Sequence, residues 1–154
     1  MKFEQFEYLR KRVIEQAVSD SVKEFEGSPE QLHPLILAYI GDAFFALYIR
    51  TRLLAYEQGR VRVIHSFSAK MVSAVTQAAA LRELEPDLDE IELNVVRRGR
   101  NAKSTVPKSA TVAEYRSSTG FEALLGYLYL SANYDRLSHI ADKAFAIISR
   151  EMTK

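Results

Sequence analysis

The chain of 154 residues carries 21 basic and 20 acidic side chains for a net charge of +1, is 47% hydrophobic, and has no cysteine. That is the composition of one globular domain able to bury its own core. It excludes disulfide scaffolds, cysteine-ligated zinc or iron-sulfur sites and cysteine nucleophiles. The N-terminus, MKFEQFEYLRKRV, lacks the apolar core of a signal peptide, and the longest apolar run, Leu35 to Ile49, is interrupted by Asp42 and falls short of a membrane span, so a cytoplasmic protein is expected.

Helical periodicity runs through the chain. Phe3, Phe6, Val13, Ala17 and Val18 share a face and predict a helix over residues 2–26, closed by Gly27. Ser28-Pro29-Glu30-Gln31 reads as a serine-capped helix start, and Pro34 opens a long apolar helix reaching about Tyr56. After the Gln58-Gly59 break, an alanine-rich helix is expected over 61–84. Leu88, Ile91, Val95 and Val96 mark another helix, acidic at its start and arginine-rich at its end, as the helix dipole favours. A loop around Pro107 spans 102–110, and helices follow over 112–132 and from Asp135 to about Met152. Nothing alternates with period two for long enough to predict a strand. The fold class is all-α, with residues 1–27 a helical extension of a domain over 28–154.

Charge is unevenly placed. Residues 97–116 hold six bases and one acid, whereas 83–92 hold six acids and no base. Arg97, Arg98, Arg100, Lys103 and Lys108, with Asn101, Ser104 and Thr105 among them, form a candidate phosphate-binding segment, the other reading being a solvated basic loop. LILAYIGDAFFALYI holds a single charge, Asp42, and FEALLGYLYL a single charge, Glu122. Neither has a basic residue one helical turn away. An ionised carboxylate withdrawn from water needs a compensator. A divalent cation shared by the two acids would serve, and so would exposure to solvent or a distant base. Gly41 beside Asp42, and Gly120 and Gly126 flanking Glu122, suggest close approach of another helix or a ligand. His33, His65 and His139 are scattered, no nucleophile elbow or glycine-rich nucleotide loop occurs, and the tyrosines and phenylalanines read mostly as core.

LAYIGDAFF resembles the signature helix of the ribonuclease III family, and RRGRNAKSTVPK followed by YRSSTGFEALLGYLYL resembles its compact mini-ribonuclease III branch, over Leu32 to the C-terminus. The resemblance implies a ribonuclease III-like helical endonuclease domain. It would act as a homodimer that hydrolyses double-stranded RNA with magnesium (Mg2+) and matures the large-subunit (23S) ribosomal RNA precursor. Asp42 and Glu122 match the family's metal-holding catalytic acids. Tyr39 matches a position that packs across the dimer interface, and the basic segment is expected to bind RNA. The chain departs from full-length members at Leu35, Ala38 and Thr119, where they carry further acids. A single magnesium is therefore expected, with Glu57 a distant candidate for an outer-shell role. The residues leave open a non-catalytic RNA-binding or ribosome-associated protein with the same fold, and a ribosomal protein that presents the substrate.

Overall fold

The computed structural model describes residues 2–19 and 23–154. Seven α-helices occur among them: α1 (Phe3–Val18), α2 (Pro34–Leu53), α3 (Val61–Met71), α4 (Ala74–Leu84), α5 (Glu90–Asn101), α6 (Val112–Leu130) and α7 (Tyr134–Glu151). Single 3-10 turns occupy Pro29–Gln31 and Glu85–Asp87, and no strand occurs among the described residues.

Helix α6 is the axis of the bundle. It packs against α2, α5 and α4, and α7 closes the far side against α4 and α6. The main core gathers Phe45 and Ile49 from α2, Leu81 and Leu84 from α4, Phe121, Leu124, Leu125 and Leu128 from α6, and Ile140 and Ile148 from α7. Phe45 meets Phe121 edge to face with ring centroids 5.1 Å apart, a favourable aromatic geometry at the α2–α6 contact. A smaller cluster of Leu37, Ala38, Val95 and Ala123 fills the space where α2, α5 and α6 meet.

Helix ends follow local chemistry. Asp89 and Thr111 head α5 and α6 with full capping boxes, closed by Glu92 and Glu114. His33, not a hydroxyl residue, caps α2: its Nδ1 accepts from the Leu35 backbone N–H at 3.1 Å. Ser28 heads the short 3-10 turn without a side-chain capping bond. The buried carboxylate of Glu92 also takes two hydrogen bonds from Arg136, both 2.9 Å, which tie α5 to α7.

Three sequence expectations are corrected. The helix expected over 61–84 is two helices. Ser73 ends one and caps the next by accepting from Thr76 N–H at 3.3 Å, while Thr76 Oγ1 donates to the Met71 carbonyl at 2.8 Å. Helix α1 stops at Val18 rather than reaching 26; the stretch 20–22 of that expectation lies outside the described residues, and 23–26 is not helical. No residue of α1 is buried. The aromatic residues are only partly core: Phe45 and Phe121 are fully buried, whereas Tyr39, Tyr56 and Phe67 are exposed. Helix α2, at 20 residues, is long and apolar enough to cross a membrane, yet Leu37, Phe45 and Ile49 are wholly enclosed in the bundle.

Candidate active site

The crossing of α2 and α6 is a backbone-to-backbone contact. A Cβ placed on Gly41 would lie 1.7 Å from the Glu122 carbonyl oxygen, and one placed on Gly126 would lie 1.8 Å from the Leu37 carbonyl oxygen. Only glycine permits this approach, and it accounts for the glycines that flank both acids. Asp42 follows Gly41 directly, so the crossing sets its carboxylate near enough to Glu122 to act on it electrostatically.

The two acids differ in environment. Asp42 is exposed, the solvent-facing alternative that the sequence left open. The reason is that Ile36, Tyr39, Leu47 and Leu54, on the outer side of α2, are themselves uncovered in the single chain. Glu122 lies mostly inside. Burial, and next the negative charge of Asp42, push its carboxyl up to about 8, opposed by a hydrogen-bonding interaction with the Gln77 side chain. A buried carboxyl raised by a neighbouring carboxylate is an arrangement that a bound cation would stabilise.

Gln77 was not singled out in the sequence. It is 1% exposed, and its Nε2 donates to the Val72 carbonyl at 3.1 Å, while Oε1 is buried without a hydrogen-bond partner. The signal that could have found it is a lone amide amid the alanines of AVTQAAAL. The two carboxylates are oxygen donors that suit a hard divalent cation, and an unsatisfied amide oxygen lies beside them. No cluster of three or more His, Cys, Asp or Glu occurs among the described residues, so protein carboxylates alone would leave most coordination positions to water or substrate. Thr119, where further acid chemistry was expected to be missing, is buried and donates to the Tyr115 carbonyl at 3.1 Å. Glu57 is committed elsewhere: it accepts from the Gly59 and Arg60 backbone N–H groups at 2.9 and 3.1 Å and from the Arg60 side chain.

A second glycine contact brings the basic segment alongside. A Cβ on Gly99 would lie 2.8 Å from Gly120 Cα, and one on Gly120 would lie 3.2 Å from Arg100 Cγ, so the C-terminal turn of α5 lies against α6 two residues before Glu122. Within the segment, Arg98 donates to the Glu30 and Leu32 carbonyls at 2.6 and 2.8 Å, and Arg100 pairs with Glu85. Arg97 donates to Asn94 at 2.5 Å and stays exposed, as do Asn101, Lys103 and Lys108. An apolar groove of about 350 Å³ between the end of α2, α3 and α7 includes neither Asp42 nor Glu122.

The sequence profile of the ribonuclease III domain matches residues 35–133, which hold α2 to α6 and both acids. The Mini-ribonuclease 3 of Symbiobacterium thermophilum is 52% identical over 126 residues, covering 80% of this chain and 95% of that one. That of Brevibacillus brevis is 44% identical over 130 residues, covering 84% and 97%. A Fusobacterium nucleatum protein solved by X-ray crystallography superposes with a TM-score of 0.70 at 29% identity, covering 75% of this chain and 93% of its own. The chain therefore belongs to the ribonuclease III family, in its Mini-ribonuclease 3 branch, and is a metal-dependent endoribonuclease of double-stranded RNA.

Proposed function

We propose that the chain cuts duplex RNA with magnesium held by Asp42 and Glu122, that it acts as a homodimer, and that its substrate is the large-subunit (23S) ribosomal RNA precursor of a bacterial cytoplasm. The observation that carries the reading is the juxtaposition of the two acids at the Gly41–Gly126 crossing, where burial and the charge of Asp42 raise the Glu122 carboxyl to about 8. A bound magnesium would supply a positive charge, polarise the scissile phosphate and activate water for its hydrolysis. The protein's part is to hold the carboxylates rigidly. Both side chains leave helices locked by backbone contact, so the positions from which they reach cannot separate without parting α2 from α6.

RNA is met by the adjoining basic segment. Arg97, Asn101, Lys103 and Lys108 offer exposed groups to phosphates, while Arg98 and Arg100 hold the segment in place through their bonds to Glu30, Leu32 and Glu85. A-form RNA is read through backbone and 2′-hydroxyl contacts, which suits a site without base-reading machinery. The dimer reading is supported by the uncovered stripe on α2, where Tyr39 is 74% and Leu47 67% exposed. Large apolar side chains in a row on one helix face call for a cover. A two-fold dimer would present two acid pairs, one for each strand.

The test is cleavage of an end-labelled RNA duplex in magnesium by the wild type and by Asp42→Asn. The wild type is expected to cut and Asp42→Asn to bind the duplex without cutting it. Equal cutting by both would overturn the assignment. A ribosomal RNA precursor fragment run beside an unrelated duplex tests the substrate, and light scattering tests the dimer.

A further inference from the structure

We infer that Gln77 is a positioning residue of the acid pair, its amide orienting the Glu122 carboxylate and its Oε1 accepting a hydrogen bond from water on the bound cation. The inference rests on the reading of Asp42 and Glu122 as the cation's ligands.

The argument starts from the break between α3 and α4. The amide of Gln77 is fixed at its nitrogen by the Val72 carbonyl, which ends α3, and its side chain reaches Glu122 on α6. Helix α4 packs directly against α6, so the amide is carried on a rigid element. Its neighbours Ala78, Ala80 and Leu81 are buried and apolar. The nitrogen of the glutamine is used by the Val72 carbonyl, but its oxygen is a buried acceptor left unpaired, a cost that an apolar residue at position 77 would not carry. A core role does not explain that cost.

The chemistry of the neighbours says what would relieve it. Glu122 can donate a hydrogen bond only in its protonated form; once ionised, as cation binding requires, both it and Asp42 only accept, and neither can satisfy Oε1. Magnesium usually keeps several of its waters, and each is a strong donor. An amide oxygen beside one of the two ligands is placed to accept from such a water and to hold the ligand's orientation, as outer-shell groups do at metal sites generally.

The experiment uses the full chain and manganese(II) as the calorimetric probe, with Gln77→Met, which keeps length and burial but removes both polar atoms, and Gln77→Leu as a second variant. The expected result is a manganese Kd weakened about tenfold or more and a kcat lowered about ten- to a hundredfold, with KM for duplex RNA unchanged. The rise in Tm that manganese gives the wild type should shrink in both variants by more than their cation-free Tm falls, which a purely structural glutamine would not produce. Kd and kcat within twofold of the wild type in either folded variant would overturn the inference, and so would losses that track a fall in cation-free Tm in both. Wild type that binds no manganese, or Asp42→Asn that binds it equally, would overturn the underlying reading and this inference with it. Normal wild-type binding with unaffected Gln77 variants would overturn the inference alone.

Discussion

Gly41 and Gly126 lie backbone against backbone where α2 crosses α6, each filling the space into which the other helix's carbonyl projects. Replacing either by alanine must drive the helices apart, because a Cβ at 1.7 or 1.8 Å from an oxygen has no room to adjust. The cost should exceed the roughly 1–3 kcal/mol of ordinary overpacking. Gly126→Ala is therefore expected to lower Tm sharply and to lose cleavage even under conditions where it folds, as judged by circular dichroism and the duplex assay. Gly59→Ala, whose Cβ would meet nothing nearer than 3.6 Å, serves as the control that keeps both.

The raised Glu122 carboxyl makes both stability and cation affinity depend on pH, in opposite directions. Its folded value of about 8 lies above the ordinary 4.5, so the folded protein holds this proton more tightly than the unfolded chain. The contribution to stability is complete below the unfolded value and is lost as pH rises towards the folded one. Between these limits Glu122→Gln should gain steadily on the wild type in Tm, measured without divalent cation. Cation binding needs the ionised form, so magnesium Kd should fall by up to about tenfold per pH unit below pH ~8 and level off above it. A calorimetric titration series across that window reads the slope.

Two bases in the same segment should behave differently. Arg98 is spent on the Glu30 and Leu32 carbonyls, so Arg98→Ala should cost on the order of 1–3 kcal/mol of stability and leave the salt dependence of RNA binding nearly unchanged. Exposed Lys103 should show the reverse: Lys103→Ala leaves Tm alone and lowers the log–log salt slope by about 1. Urea melts and filter binding at several salt concentrations separate the two.

The Glu92–Arg136 pair is enclosed, with Glu92 side chain only 3% exposed. Arg136→Ala would strand a buried carboxylate and is expected to cost about 3–5 kcal/mol, read as a shift in the urea midpoint. The Glu92→Gln, Arg136→Met double variant should recover much of the loss, because removing both charges also removes the need to pair them.

The relatives from Symbiobacterium thermophilum and Brevibacillus brevis are covered almost end to end while leaving about a fifth of this chain unmatched. Helix α1 buries no residue against the remainder. Removing residues 1–27 should accordingly leave the Tm and the RNA-cleaving activity of the remaining domain within error of the full chain, measured by calorimetry and the duplex assay.

Much of the fold was legible because its helices carry their own signals. Pro34 and the acid-to-arginine gradient of α5 are local signals that place their helices within a residue or a few, whereas the Asp89 and Thr111 capping boxes went unread and the serine cap expected at Ser28 does not form. The α3–α4 break was missed because alanine-rich sequence favours continuous helix, while Ser73 and Thr76 act by capturing backbone groups that a sequence pattern does not display. Asp42 and Glu122 stood out as lone charges in apolar runs, and the flanking glycines announced a close crossing. Their unequal burial was not legible: it depends on which face of α2 the rest of the chain leaves open. Gln77 escaped notice because an amide carries no charge to betray its burial.

The acid pair has a consequence for the life of the chain before it is complete. Asp42 and Glu122 come from helices far apart in sequence, and neither is joined to the other by any local motif. During synthesis the segment bearing Asp42 emerges long before α6 exists. On the proposed assignment, the capacity to cut RNA therefore arises only when α6 docks on α2 and brings the second acid to the first.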